Sequence, residues 1–122
     1  MTTFTIQLPP VTKKNHQQIF INSKTGKPFI TQSKQYKAYE KDAGWFLKPL
    51  LIDYPVNVKA LYYMPTRRKV DLSNLHSALH DVLVNCKVLV DDNSAIIVST
   101  DGSRVLYDKD KPRTEIYITE VT

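Results

Sequence analysis

Between residues 56 and 85 the hydrophobic period changes from two to 3.6 across a single proline. That change marks a strand followed by a helix. Val56, Val58, Ala60, Tyr62 and Met64 recur at every second position, so 56–64 reads as a strand with one face buried. Pro65 stops it. Leu72, Leu75, Leu79, Val82 and Leu83 then recur at spacings of three and four, so Asp71–Asn85 reads as an amphipathic helix. A β-rich segment, Ala95–Thr100, follows. A strand, a helix and a strand in this order call for a sheet with helices laid on it.

The rest of the chain fits that frame. Phe4, Ile6 and Leu8 alternate in a first strand that Pro9 and Pro10 end. Residues 11–18 read as a basic loop. Ile19–Ile21 and Pro28–Ile30 flank Asn22–Lys27 as a short hairpin. From Ser33, a helix start, Tyr36, Tyr39, Ala43, Phe46, Leu47 and Leu50 predict a helix over 33–51, frayed at its end by Pro49. Arg113–Val121 alternates through Ile116 and Ile118 as a last strand. The expectation is α/β (α+β): one small mixed sheet with two main helices packed on it. At 122 residues, 1–122 is expected to form a single domain.

No apolar run approaches the ~18 residues of a membrane span. The first residues lack the basic and apolar regions of a signal peptide. Cys86 is the only cysteine, which rules out an intrachain disulfide and a cysteine zinc cluster. A reducing, cytoplasmic setting is expected. The net charge of +5 favours polyanions as partners, nucleic acid before anionic membrane. The cations cluster: Lys13 with Lys14, then Arg67, Arg68 and Lys69, then Lys109, Lys111 and Arg113 among Asp108 and Asp110.

The stretch TRRKVDLSN, residues 66–74, joins three cations to an acid at a helix start. Asp71, Asn74, Ala78 and Asp81 lie on one helical stripe beside the apolar one. About twenty residues on comes the acidic turn Asp91-Asp92-Asn93. Phosphodiester hydrolysis needs such parts: carboxylates for a hard cation, and cations to grip the flanking backbone. Each part alone has an ordinary reading. Asp71 serves as an N-cap, Asp91 to Asn93 as turn residues, and Arg67 to Lys69 as a solvated charge run.

Together, M-P-T-R-R-K-V-D-L-S-N-L-H-S-A-L-H-D-V-L and V-L-V-D-D-N-S-A-I resemble the RusA family of Holliday junction resolvases. These are small proteins common in prophages. The family pattern is a strand, M-P, a basic run, D-L-D-N-L, a helix with a further Asp, and a D-D pair. It matches without a gap from Met64 to Ile96. Pro9-Pro10, Lys13-Lys14-Asn15 and G-K-P-F-I-T-Q-S-K-Q-Y-K-A-Y-E extend the likeness over nearly the whole chain.

The resemblance implies a Mg²⁺-dependent (or Mn²⁺-dependent) endonuclease. It would act on branched DNA as a homodimer, each active site nicking one of two opposed junction strands. No small-molecule cofactor is implied. Asp71 and Asp92 take the places of metal-binding acids. Asn74, Asp81 and Asp91 would orient ligands or waters. Arg67, Arg68 and Lys69, with Lys13 and Lys14, would hold the DNA backbone. Ser73 stands where the family has its second Asp, and Ser77 where it has a helix lysine. These departures support an alternative, a catalytically weak or inactive branched-DNA binder. A protein-interaction module with an incidental basic surface is a third reading.

Other residues invite roles. His76 and His80 share a helix face at i,i+4, the spacing of a zinc pair, but the Glu of a zinc protease is absent. His16 is expected exposed in the basic loop. One of Tyr62 and Tyr63 is expected in the core. Tyr36 and Tyr39 read as helix packing, and Trp45 as core or dimer interface. Cys86 has no partnering base in reach and is not read as a nucleophile.

Overall fold

The strand predicted from strict alternation, β4 (Val56–Met64), is the centre of the molecule. Val56, Val58, Ala60 and Tyr62 are fully or almost fully buried, while Asn57, Lys59, Leu61 and Tyr63 on the other face are half exposed. The computed structural model describes residues 1–12 and 34–122, and the backbone of 17–21 and 28–32. The remaining elements with described side chains are β1 (Thr2–Ile6), α1 (Lys34–Ala43), α2 (Leu72–Asn85), β5 (Ile97–Ser99), β6 (Arg104–Tyr107) and β7 (Arg113–Glu120). β2 (Gln17–Ile21) and β3 (Pro28–Gln32) pair antiparallel as a separate two-stranded sheet, with Ile19 opposite Ile30.

The main sheet is mixed. β7 lies antiparallel to β4 from Val56↔Glu120 to Tyr63↔Arg113, and β1 lies antiparallel to β7 on its outer side. On the other edge of β4, β5 and β6 both run parallel to it. The pairing aligns inward rows such as Phe4–Ile116–Ala60 and Ile6–Thr114–Tyr62. Both helices pack on this one face. Tyr39 and Ala43 of α1 join Leu75, Leu79, Val82 and Leu83 of α2 in a single core with the strand residues. Among the described residues no helix is long and apolar enough to cross a membrane.

Three expectations need correction. The first helix does not run from 33 to 51. It ends at Ala43, passes through one 3₁₀ turn (Gly44–Phe46) and becomes extended at Leu47. Gly44 weakens the helix, and Pro49 biases the residue before it away from helical backbone. Trp45 is therefore not in the core; it is 85% exposed. The strand expected over Ala95–Thr100 shortens to Ile97–Ser99, and β6 was not expected at all.

β5 and β6 are in effect one strand alongside β4, interrupted by a turn at 100–103. Gly102 takes φ +88° there, and a side chain at that position would press on the Lys59 stem. The interruption removes ladder partners, and side chains replace them. Ser103 Oγ accepts the Ala60 N–H at 3.0 Å. The Asn57 side chain accepts from Ser99 Oγ at 2.5 Å and from the Asp101 N–H at 2.8 Å, and donates to the Asp101 carbonyl at 3.2 Å. Asn57→Ala should therefore lower stability by about 1–2 kcal/mol. Urea denaturation measures this, and an unchanged midpoint would mean that the edge holds without Asn57.

Candidate active site

The connection from β4 to α2 carries the basic run. Asp108 N–H closes the strand by donating to the Met64 carbonyl at 2.9 Å. Val70 is half buried against the core and anchors the far end of the connection. Between them Arg67, Arg68 and Lys69 are exposed. Among the described residues none of the three has a carboxylate partner. Arg67 is held differently, with its guanidinium 4.1 Å over the Tyr107 ring. That cation–π contact fixes the first cation of the run against the end of β6.

Asp71 is the N-cap of α2 through its backbone only. Its carbonyl accepts the Asn74 and Leu75 N–H groups, yet its carboxylate makes no capping bond. The Asn74 amide donates to Asp71 Oδ2 at 3.3 Å. The structure thus brings Asp71 and Asn74 together at a helix N-terminus, where unpaired N–H groups favour anionic oxygen. Ser73 and Ser77 are exposed nearby.

The acidic turn has a different economy of bonds. Asp91 Oδ1 accepts the Asp92 N–H at 2.7 Å, and Asp91 Oδ2 accepts from the Asn93 amide at 3.1 Å. Asn93 in turn accepts from Ala95, Ile96 and Ile97 N–H groups. Asp91 and Asn93 build the turn. The exposed Asp92 carboxylate has no partner among the described residues.

The two acidic elements do not meet within the chain. β4, α2 and β5 form a crossover between parallel strands, so α2 must run back along β4. Asp71 sits in the loop at one end of this unit and Asp92 in the loop at the other. The 14 residues of α2 separate them by about 21 Å. Among the described residues, no three His, Cys, Asp or Glu side chains gather to hold a metal ion. Asp81 lies ten residues along the helix from Asp71, or about 15 Å. Its charge acts on Tyr36 of α1 and on His80. Lys13, Lys14 and His16 lie outside the described residues.

Comparison with known proteins settles the class. The family described as "Endodeoxyribonuclease RusA" matches residues 7–119. The chain belongs to the RusA family. A curated relative, "Crossover junction endodeoxyribonuclease RusA" of Aquifex aeolicus (strain VF5), is 33% identical over 95 residues, covering 75% of this chain and 71% of the relative.

Two groups in this RusA-family chain were not foreseen as parts of the site. Tyr107, which holds Arg67, belongs to the unexpected strand β6. The other is a half-buried stack on α2. His76 and His80 rings lie 5.4 Å apart and within 9° of parallel. Tyr62, whose hydroxyl burial keeps protonated, donates to His76 Nδ1 at 2.7 Å. Both Nε2 atoms are buried without a partner among the described residues. The i,i+4 spacing and the inward register of Tyr62 were the available signals. A shared metal ion would have to lie near both ring planes, and stacked parallel rings give it no such position. The zinc-pair geometry is thus absent.

Burial drives the His80 imidazole down to about 4, reinforced by His76 and partly opposed by Asp81. Burial also lowers His76. Their folded pKa values lie below the unfolded value of about 6.5, so the unfolded state binds more protons as pH falls through that range. Stability from these rings is complete above pH 6.5 and declines toward pH 4. Between pH 7 and pH 5, His80 should contribute a loss on the order of 2 kcal/mol. Urea denaturation of His80→Leu should show a pH dependence flatter by that amount. An identical dependence in parent and variant would remove His80 from this account.

Proposed function

We propose that the chain resolves Holliday junctions as a Mg²⁺-dependent (or Mn²⁺-dependent) homodimer. Each active site takes Asp71 from one protomer and the partner subunit's Asp92. The observation that carries this reading is the position of two exposed carboxylates, free of structural duty, at opposite ends of one crossover unit. In a two-fold dimer, any contact of one end with the other is repeated reciprocally. Two equivalent sites follow, which is the number needed for two opposed strands.

The donors suit a hard cation. Asp71 and the partner subunit's Asp92 offer carboxylate oxygens, with Asn74 and Asp91 orienting them. When bound, the cation supplies Lewis acidity at the attacked phosphate. Asn74 restrains the Asp71 carboxylate through its amide. The α2 N-terminus favours the negative charge that builds up on the phosphate. Arg67, Arg68 and Lys69, with Lys13 and Lys14, hold the flanking backbone. Asp81 lies too far along α2 to act with Asp71 and is given no part.

Asp71→Asn and Asp92→Asn should each abolish cleavage while junction binding persists. Mixing the two variants tests the shared site. Half of randomly exchanged dimers are mixed, and each mixed dimer holds one complete site and one lacking both acids. Nicking should return at about a quarter of the parental site content, as single rather than paired nicks. Folded, junction-binding variants that never complement would place both acids in the same protomer's site, or leave one outside it.

The second reading, a junction binder that does not cut, rests on Ser73 and Ser77. Membership of an endonuclease family favours cleavage. Ser73→Asp adds a carboxylate two residues from Asp71 and should tighten Mg²⁺ dependence and raise the rate by about tenfold. An unchanged metal titration would show that this position takes no part in holding the cation.

A further inference from the structure

A cavity of about 620 Å³ opens beside the β4–α2 connection. Its size falls in the ~300–1,000 Å³ range of small-ligand sites. Three kinds of wall enclose it. Pro10, Val11 and Met64 form a low-polarity side. Gln35 and Asp42, both exposed on α1, face it with hydrogen-bonding groups. Arg68 and Lys69 stand at the rim, and neither has a carboxylate partner among the described residues.

We propose that this cavity receives one unpaired nucleotide of the branched DNA, next to the phosphate presented to Asp71. The proposal rests on the resolvase reading and goes beyond it by assigning a binding site. Lys69 lies two residues before Asp71, so the rim is within about 7 Å of the helix N-terminus along the chain. A backbone gripped by Arg68 and Lys69 therefore carries its next base past the cavity mouth. The apolar side matches the face of a base. Gln35 offers a donor and an acceptor, and Asp42 an acceptor, to the base's pairing edge. In duplex DNA that edge is occupied, so only an unpaired base satisfies both walls. Opening is least unfavourable where stacking is already interrupted, which is the branch point itself.

Four-way junctions carrying 2-aminopurine at single positions around the branch test this. Bound without divalent metal, they stay uncut. The parent protein should raise fluorescence several-fold at one position flanking the branch. Gln35→Trp fills the cavity from an exposed helix position, and Val11→Trp fills it from the wall. Both should abolish the rise while junction affinity, carried by phosphate contacts, stays within about threefold. Gln35→Trp decides the matter alone if Val11→Trp does not fold. A rise that persists in Gln35→Trp overturns the proposal. A junction bound by the parent with no rise at any position overturns the pocket and leaves the resolvase reading standing. Failure of the parent to bind junctions overturns both.

Discussion

Parallel pairing along one edge of β4 constrains everything else in this molecule. A strand can lie parallel to its predecessor only if the chain returns first, and here α2 makes the return. The two loops of such a unit fall at opposite ends. Whatever chemistry the loops carry is divided between those ends, however near the residues stand in sequence. Asp71 and Asp92 are twenty-one positions apart in the chain, yet a full helix length separates them in space. In the proposed reading each loop on its own would be half of a metal site.

The way each half is built follows from local bonding. A residue at an N-cap ordinarily gives its side chain to the helix. Asp71 gives only its carbonyl, and the nearby Asn74 amide steadies the carboxylate instead. In the acidic turn the division of labour falls between neighbours. Asp91 and Asn93 absorb the turn's donors, and Asp92 is left with both oxygens unused. Free carboxylates on well-ordered loops are what a ligand site requires, because the scaffold is held by other groups.

Much of this was legible in the residues. The alternation in Val56–Met64 and the 3.6-residue spacing from Leu72 gave β4 and α2 almost to the residue. Phe46, Leu47 and Leu50 keep the helical spacing past Gly44, so periodicity extends the first helix beyond Ala43, where backbone preference ends it. β6 is invisible in the sequence because Arg104–Tyr107 is four residues long with no alternation, and its backbone partner is β4, more than forty residues earlier. Tyr107 disappeared from view with it. The separation of the two acids was readable in principle. A strand, a helix and a strand already imply a crossover with loops at opposite ends. Motif spacing conceals this, since it records order along the chain and not the direction of travel.

The same geometry separates holding DNA from cutting it. All three cations of the basic run stand exposed at the Asp71 end, so in the proposed site the grip on phosphate would belong to a single protomer's loop. Phosphate contacts fix where the backbone lies and carry no chemistry of their own. In the proposed site, hydrolysis would then wait on a second acid that lies a helix length away in the same chain. Under the proposed shared site, such a protein would grip branched DNA through one surface and become competent to cut only when a two-fold partner supplied the rest.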